Sequence, residues 1–160
     1  MIQMPRFYLE TSVFGFYYDE VPRNVDRRES VKTLFHQLEL GILNAVTSPV
    51  TADELAQTPE PLRTKLLDLL KLVEELDVDE YEVRRLASAY LGERIIPGDY
   101  STDARHVASA SVAGVGLLVT LNLKHLANAW AERRLNAINL REGFPLVSIK
   151  TPEEVLRYED

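Results

Sequence analysis

Apolar positions along the chain follow two rhythms. Short runs rich in β-branched and aromatic residues, "RFYL" (6–9), "NAVTS" (44–48), "LDV" (76–78), "GLLVTL" (116–121) and "PLVSI" (145–149), have the length and composition of strands. Segments 27–40, 61–75, 80–92 and 103–113 repeat instead at three- and four-residue steps and end near a glycine, a charge cluster or a turn signal, which predicts helices. In the first of these, Val31, Leu34, Phe35, Leu38 and Ile42 share a face and Gly41 supplies a stop. In the second, Leu62, Leu66, Leu69, Leu70 and Val73 repeat the pattern, with Pro61 suited to a first helical turn. Both read as core-packing helices. Strands alternating with helices predict an α/β fold of three layers, with a central, mostly parallel sheet covered on both faces.

At 160 residues the chain fits one domain, spanning 1–160, and neither repeats nor low-complexity linkers divide it. Hydrophobic residues at 46% and charged residues at 27% are ordinary for a folded globular protein. With no cysteine, disulfides and thiolate metal sites are excluded, which is compatible with a reducing compartment. The start lacks a basic segment followed by an apolar run, and no stretch approaches the ~20 apolar residues of a membrane span. The expected location is the cytoplasm, with no membrane partner. A net charge of -7 argues against a protein that holds nucleic acid by general phosphate attraction. A nuclease remains compatible, because acids gathered around a metal ion enter the formal count while the metal supplies the charge that meets phosphate.

Four polar residues stand at junctions between elements. Glu10 follows "FYL" and Asn122 follows "LLVTL", both at strand ends on one rim of the sheet. Glu54, in "SPVTADEL", lies in a helix that begins just after "NAVTS", with Ser48 or Thr51 available to cap it. Asp103, in "DYSTDARHVASA", lies in the first turn of a small-residue-rich helix. Singly, each has a plain structural explanation: the helix macrodipole for Asp103, a solvated surface for Glu54, a turn or cap for Asn122. Jointly they converge, because the carboxyl ends of parallel strands and the starts of the following helices share one edge. Crowded carboxylates repel unless a cation neutralises them, and hard oxygen ligands select magnesium or manganese.

These motifs, "YLETSVFG", "SPVTADEL", "DARHVASA" and "LLVTLNLKHL", in order and spanning nearly the whole chain, resemble the PIN-domain ribonucleases. The narrower likeness is to the VapC-like toxins of type II toxin–antitoxin pairs and their solitary relatives. "RRLNAINLREGF" and the Asn before the Lys-His pair of "NLKHL" resemble a subset of that family. The resemblance implies a PIN-like fold and an active site built from Glu10, Glu54, Asp103 and Asn122. It also implies bound Mg²⁺ or Mn²⁺, hydrolysis of single-stranded RNA, an antitoxin protein as partner, and a homodimer. Two letters depart from the pattern: Glu10 stands where the family carries Asp, and Leu121 where the subset often carries an aromatic residue.

On this resemblance Glu10 and Asp103 hold the metal, Glu54 completes the shell or orients the attacking water, and Asn122 adds a neutral oxygen or a hydrogen bond. Thr11 and Ser12 position a carboxylate or a phosphate oxygen. His106, three residues after Asp103, is spaced to hydrogen-bond and fix it, but the leading reading is a packed, hydrogen-bonded structural histidine. Asp99 is read as a cap or loop residue that helps start the helix before Asp103. Lys124 and Arg105 are the first candidates for RNA contacts, followed by Arg133 and Arg134. The alternative function is a catalytically weakened PIN-fold module that binds RNA or a partner protein, motivated by Glu10. A phosphate-receiver-like signalling module is a third reading, opposed by the lack of an early acid pair.

Overall fold

The computed structural model describes residues 5–158. Five parallel strands form one sheet: Phe7–Leu9 (β1), Ala45–Thr47 (β2), Glu74–Glu75 (β3), Leu117–Val119 (β4) and Ser148–Lys150 (β5), in the order β3-β2-β1-β4-β5. The connections carry helices Thr11–Tyr17 (α1), Val25–Glu39 (α2), Pro49–Ala56 (α3), Leu62–Leu70 (α4), Glu80–Gly92 (α5), Ser101–Val112 (α6) and Ala129–Glu142 (α7), and Pro152–Val155 (α8) follows β5. No helix among the described residues is long and apolar enough to cross a membrane.

Alternation along the strands builds the three expected layers. Tyr8, Val46, Leu118 and Ile149 face one side, where they join Val83, Leu86 and Tyr90 of α5, Val107 of α6 and Leu135 of α7 in a buried cluster. Phe7, Leu9, Ala45 and Val119 face the other side and pack with Phe14, Leu34, Phe35, Leu55, Leu66 and Leu69. Because both faces are covered there, the inner strands β2, β1 and β4 read as near-continuous apolar runs. Ala104, Ala108 and Ala110 are fully buried, so small side chains let α6 sit tightly inside its layer. Leu121 is half-buried and packs with the second cluster, which accounts for an aliphatic residue at that position.

Several elements differ from the sequence pattern, three of them instructively. The edge strand β3 is Glu74–Glu75, not 76–78; Leu76 follows it and donates its N–H to the Thr47 carbonyl at 2.8 Å. Helix α4 stops at Leu70 rather than 75, in tight turns through Lys71 and Leu72, yet Leu70 and Val73 still reach the second cluster. The apolar period therefore outlasts the helix. Helix α7 lies outside the four segments with clear helical spacing, because its buried side is Ala131, Leu135, Ile138 and the polar Asn139. Asn139 accepts the Tyr90 hydroxyl and donates to Asn136 Oδ1 at 3.0 Å, and Asn136 in turn bonds both backbone groups of Val147 at 2.8 Å.

Candidate metal centre

Strand β1 lies between β2 and β4, and chain connectivity runs in opposite directions from it, so the carboxyl ends of β1 and β4 form the switch point of the sheet. Glu10 is the first residue past β1. Its N–H is held by the Val119 carbonyl at 3.1 Å, and the chain turns at once into α1 with Glu10 as N-cap. Its Oε2 accepts the Ser12 N–H at 3.0 Å, while its Oε1 accepts the hydroxyls of Ser12 at 2.6 Å and Thr120 at 2.5 Å. Ser12 Oγ and Thr120 Oγ1 also accept the N–H groups of Leu121 and Asn122, each at 3.0 Å. Glu is not a preferred N-cap. Here the side chain folds back over its own helix start, so the extra methylene is absorbed locally and Glu10 remains buried, 4% exposed.

Glu54 approaches from α3, whose N-cap Ser48 accepts the Val50 N–H at 3.2 Å. Its Oε1 accepts the Thr11 hydroxyl at 2.6 Å and lies 2.6 Å from His106 Nε2. His106 does not bond Asp103 as the helical spacing allowed. It is wholly buried and points across to β1 and α3: Nδ1 is 2.6 Å from the Tyr8 hydroxyl, which is 2.7 Å from Ser48 Oγ, and Nε2 is 3.9 Å from Glu10 Oε2. Burial alone would depress the imidazole, but the Tyr8 oxygen and the Glu54 and Glu10 carboxylates outweigh it and push its pKa up to about 10. Burial likewise raises Glu54, but the His106 hydrogen bond and charge, the Thr11 hydroxyl and the Arg105 charge together hold it below its ordinary value.

Asp103 sits in the first turn of α6, half-buried. Burial, the Glu10 charge and a smaller push from Glu54 raise its pKa to about 6, against the opposing effects of His106 and Asn122. Asn122 Nδ2 donates to Asp103 Oδ2 at 2.9 Å, and its Oδ1 accepts the His125 N–H at 3.1 Å. Asn122 thus presents an amide N–H to the acids and turns its oxygen to the backbone. Asp99 forms part of the single turn Gly98–Tyr100 before α6, and no side chain caps that helix.

The donor set fits a hard cation. One ligand atom each from Glu10, Glu54 and His106 lie within 4.8 Å of one another, but both imidazole nitrogens are already engaged, so the lone pairs left over belong to oxygen. Asp103 stands just outside that trio, and burial together with the Glu10 charge favours its protonated form up to about pH 6 despite the charge on His106. Among the cations, Arg105 is near enough to act on Glu54, and Lys124 is exposed just beyond Asn122. Arg133 and Arg134 lie exposed on α7. Arg27 was not singled out by its sequence context, yet it lines an open cavity of about 150 Å³ with Leu121, Leu123, Thr151 and Glu153, the first of which precedes Asn122 in sequence. Tyr8 and Thr120 also escaped notice. Each is a polar group at or near a strand end between apolar neighbours, and that interruption is the signal that marks them.

No family model matches the chain, and no curated protein does. Among solved structures, a chain in the crystal structure of VapBC2 from Rickettsia felis, bound to a DNA fragment from their promoter, is similar with a TM-score of 0.56. Identity is 15%, and the match covers 91% of this chain and 98% of that one. At this identity the likeness concerns the fold, an α/β arrangement of PIN-like type.

Proposed function

We propose that residues 1–160 form a single PIN-like domain acting as a metal-dependent ribonuclease, which cleaves single-stranded RNA by water attack on a phosphodiester. The observation that carries this reading is the convergence of Glu10, Glu54 and Asp103 at the switch point of a parallel sheet, with lone pairs unspent. Glu10 and Asp103 would hold the cation, Mg²⁺ or Mn²⁺. When bound, such a cation lowers the pKa of a coordinated water and offsets charge building on the phosphate. Glu54, fixed at Oε1 by Thr11 and His106, would orient an attacking water and take its proton at Oε2, which has no hydrogen-bond partner among the described residues. The Asn122 amide steadies Asp103. Ser12 and Thr120 hold Glu10 so that one of its oxygens stays directed at the cluster. Lys124 and Arg105 meet the RNA backbone. The same reading makes the chain a cytoplasmic VapC-like toxin or a solitary relative, with a homodimer and an antitoxin protein as further proposals.

A second reading has its own observation. Glu10 Oε1 is fully taken by Ser12 and Thr120, and Glu54 Oε1 by Thr11 and His106, so a module with weakened catalysis that binds RNA or a protein is also supported. Cleavage of single-stranded RNA by the purified protein in Mg²⁺, Mn²⁺ or chelator separates them. The nuclease reading expects activity that is lost in chelator and falls at least about 100-fold in Asp103→Asn. An inactive wild type beside a cleaving Glu10→Asp variant favours the second reading. Failure of every variant to cleave or to bind metal removes the nuclease assignment.

A further inference from the structure

At the start of the helix that carries Asp103, two rings face each other. Tyr100, the residue just before α6, and His125, in the loop after β4, have ring centroids 4.3 Å apart with planes inclined by 38°. Both are tied to the same carboxylate. Tyr100 immediately precedes the helical turn that carries Asp103, and the His125 N–H is held by Asn122, whose amide bonds Asp103. Tyr100 is nevertheless 44% exposed, and the exposed Leu123 and Lys124 adjoin His125 in sequence.

Core packing does not account for this pair, since neither ring belongs to the apolar clusters. A large aromatic face left in water beside a centre suited to phosphate chemistry is the arrangement that accepts an unstacked nucleobase, because every base offers a π-face whatever its hydrogen-bonding edge. The neighbouring Lys124 is suited to the phosphate of the same nucleotide.

We infer that Tyr100, backed by His125, is a stacking platform for one base of a single-stranded RNA, next to the phosphate held at the acidic cluster. The inference rests on the ribonuclease reading and names how that site holds its substrate. It makes contact with RNA tolerant of sequence at this nucleotide, and it sets which phosphate lies over the acids.

The test measures binding of a fluorescein-labelled single-stranded RNA 12-mer in chelator, so that cleavage does not intervene. The proteins are wild type, Tyr100→Ala, Tyr100→Phe and Tyr100→Trp, with folding checked by circular dichroism. Tyr100→Ala should bind roughly ten-fold more weakly while the Phe and Trp variants stay near wild type. A second series needs no variant: an abasic nucleotide walked along the RNA should weaken wild-type binding at one position, and Tyr100→Ala should lose nothing further there. Equal binding by Tyr100→Ala and wild type, or an equal loss for every abasic RNA, overturns the platform while leaving the nuclease reading to its own cleavage assay. If wild type neither binds nor cleaves RNA, both readings fall. If Tyr100→Ala leaves RNA affinity intact but lowers self-association in light scattering, the rings belong to a protein interface and the proposal is overturned.

Discussion

His106 is the most constrained residue near the cluster, with both ring nitrogens 2.6 Å from oxygen partners on other elements and no exposure to water. Such bonding favours the imidazolium: Nδ1–H donates to Tyr8, Nε2–H donates to Glu54, and the Tyr8 O–H donates in turn to Ser48 Oγ. Because its pKa in the fold, about 10, is above the ordinary 6.5, its contribution is fully present below pH 6.5 and drains away as pH rises toward 10. Metal-free wild type should therefore lose thermal stability between about pH 7 and pH 10, and His106→Gln should show a flatter profile there. Parallel slopes in a melting series would remove the charged-imidazole account. Along the chain, His106 was readable as a packed, hydrogen-bonded histidine, but Asp103 was the one partner that could be named, because helical spacing reports partners on the same helix. Its true partners come from β1 and α3, whose approach is set by sheet order. Glu10, Glu54, Asp103 and Asn122 were legible as a group for the complementary reason: strand ends and following helix starts share a rim whatever the packing details.

At the scale of elements, α7 shows why a helix can be hidden from periodicity. Its buried face includes Asn139, whose amide serves the Tyr90 hydroxyl of α5 and, through Asn136, the backbone of Val147 just before β5. A polar network thus fastens two helices to the sheet where a reader expects leucine. Burial raises the Tyr90 phenol well above its usual range, so it stays protonated and must donate. Asn139→Ala should destabilise the protein by about 1–3 kcal/mol, the cost of leaving such a donor unpaired, plus the space vacated. In a Tyr90→Phe background the same change should cost less, since no hydroxyl is left stranded. Urea unfolding of the four proteins of this cycle decides it, and strict additivity would mean the hydrogen bond carries no energy of its own. Helix α4 errs in the opposite sense: Val73 keeps the apolar beat after the backbone has left the helix, so the pattern reported burial correctly and conformation incorrectly.

For the molecule as a whole, the strand order β3-β2-β1-β4-β5 sets β1 beside β4 and so gathers acids from three separate stretches of a chain already carrying a net charge of -7. The metal-free fold favours a proton on Asp103, first because the carboxyl is buried and then because of the Glu10 and Glu54 charges. A carboxyl whose folded pKa is raised from 3.8 to about 6 favours the fold while protonated, and that contribution is lost as pH climbs through 6. Above that pH the ionised cluster costs stability until a cation offsets it. Saturating Mg²⁺ or Mn²⁺ should consequently raise the melting temperature more at pH 7.5 than at pH 5, with a gain on the order of 2.7 kcal/mol when the ion is at 100 times its dissociation constant. Asp103→Asn keeps an oxygen to accept the Asn122 amide but sheds the charge. It should therefore melt above wild type at pH 7.5 in chelator, respond weakly to either ion, and fail to cleave RNA. This combination, a variant more stable and less active, separates a repulsive ligand cluster from acids that merely cap helices. Were Asp103→Asn to melt below wild type in chelator and to shift equally with metal, Asp103 would be a structural cap, and the cation would have to be sought among Glu10 and Glu54 alone.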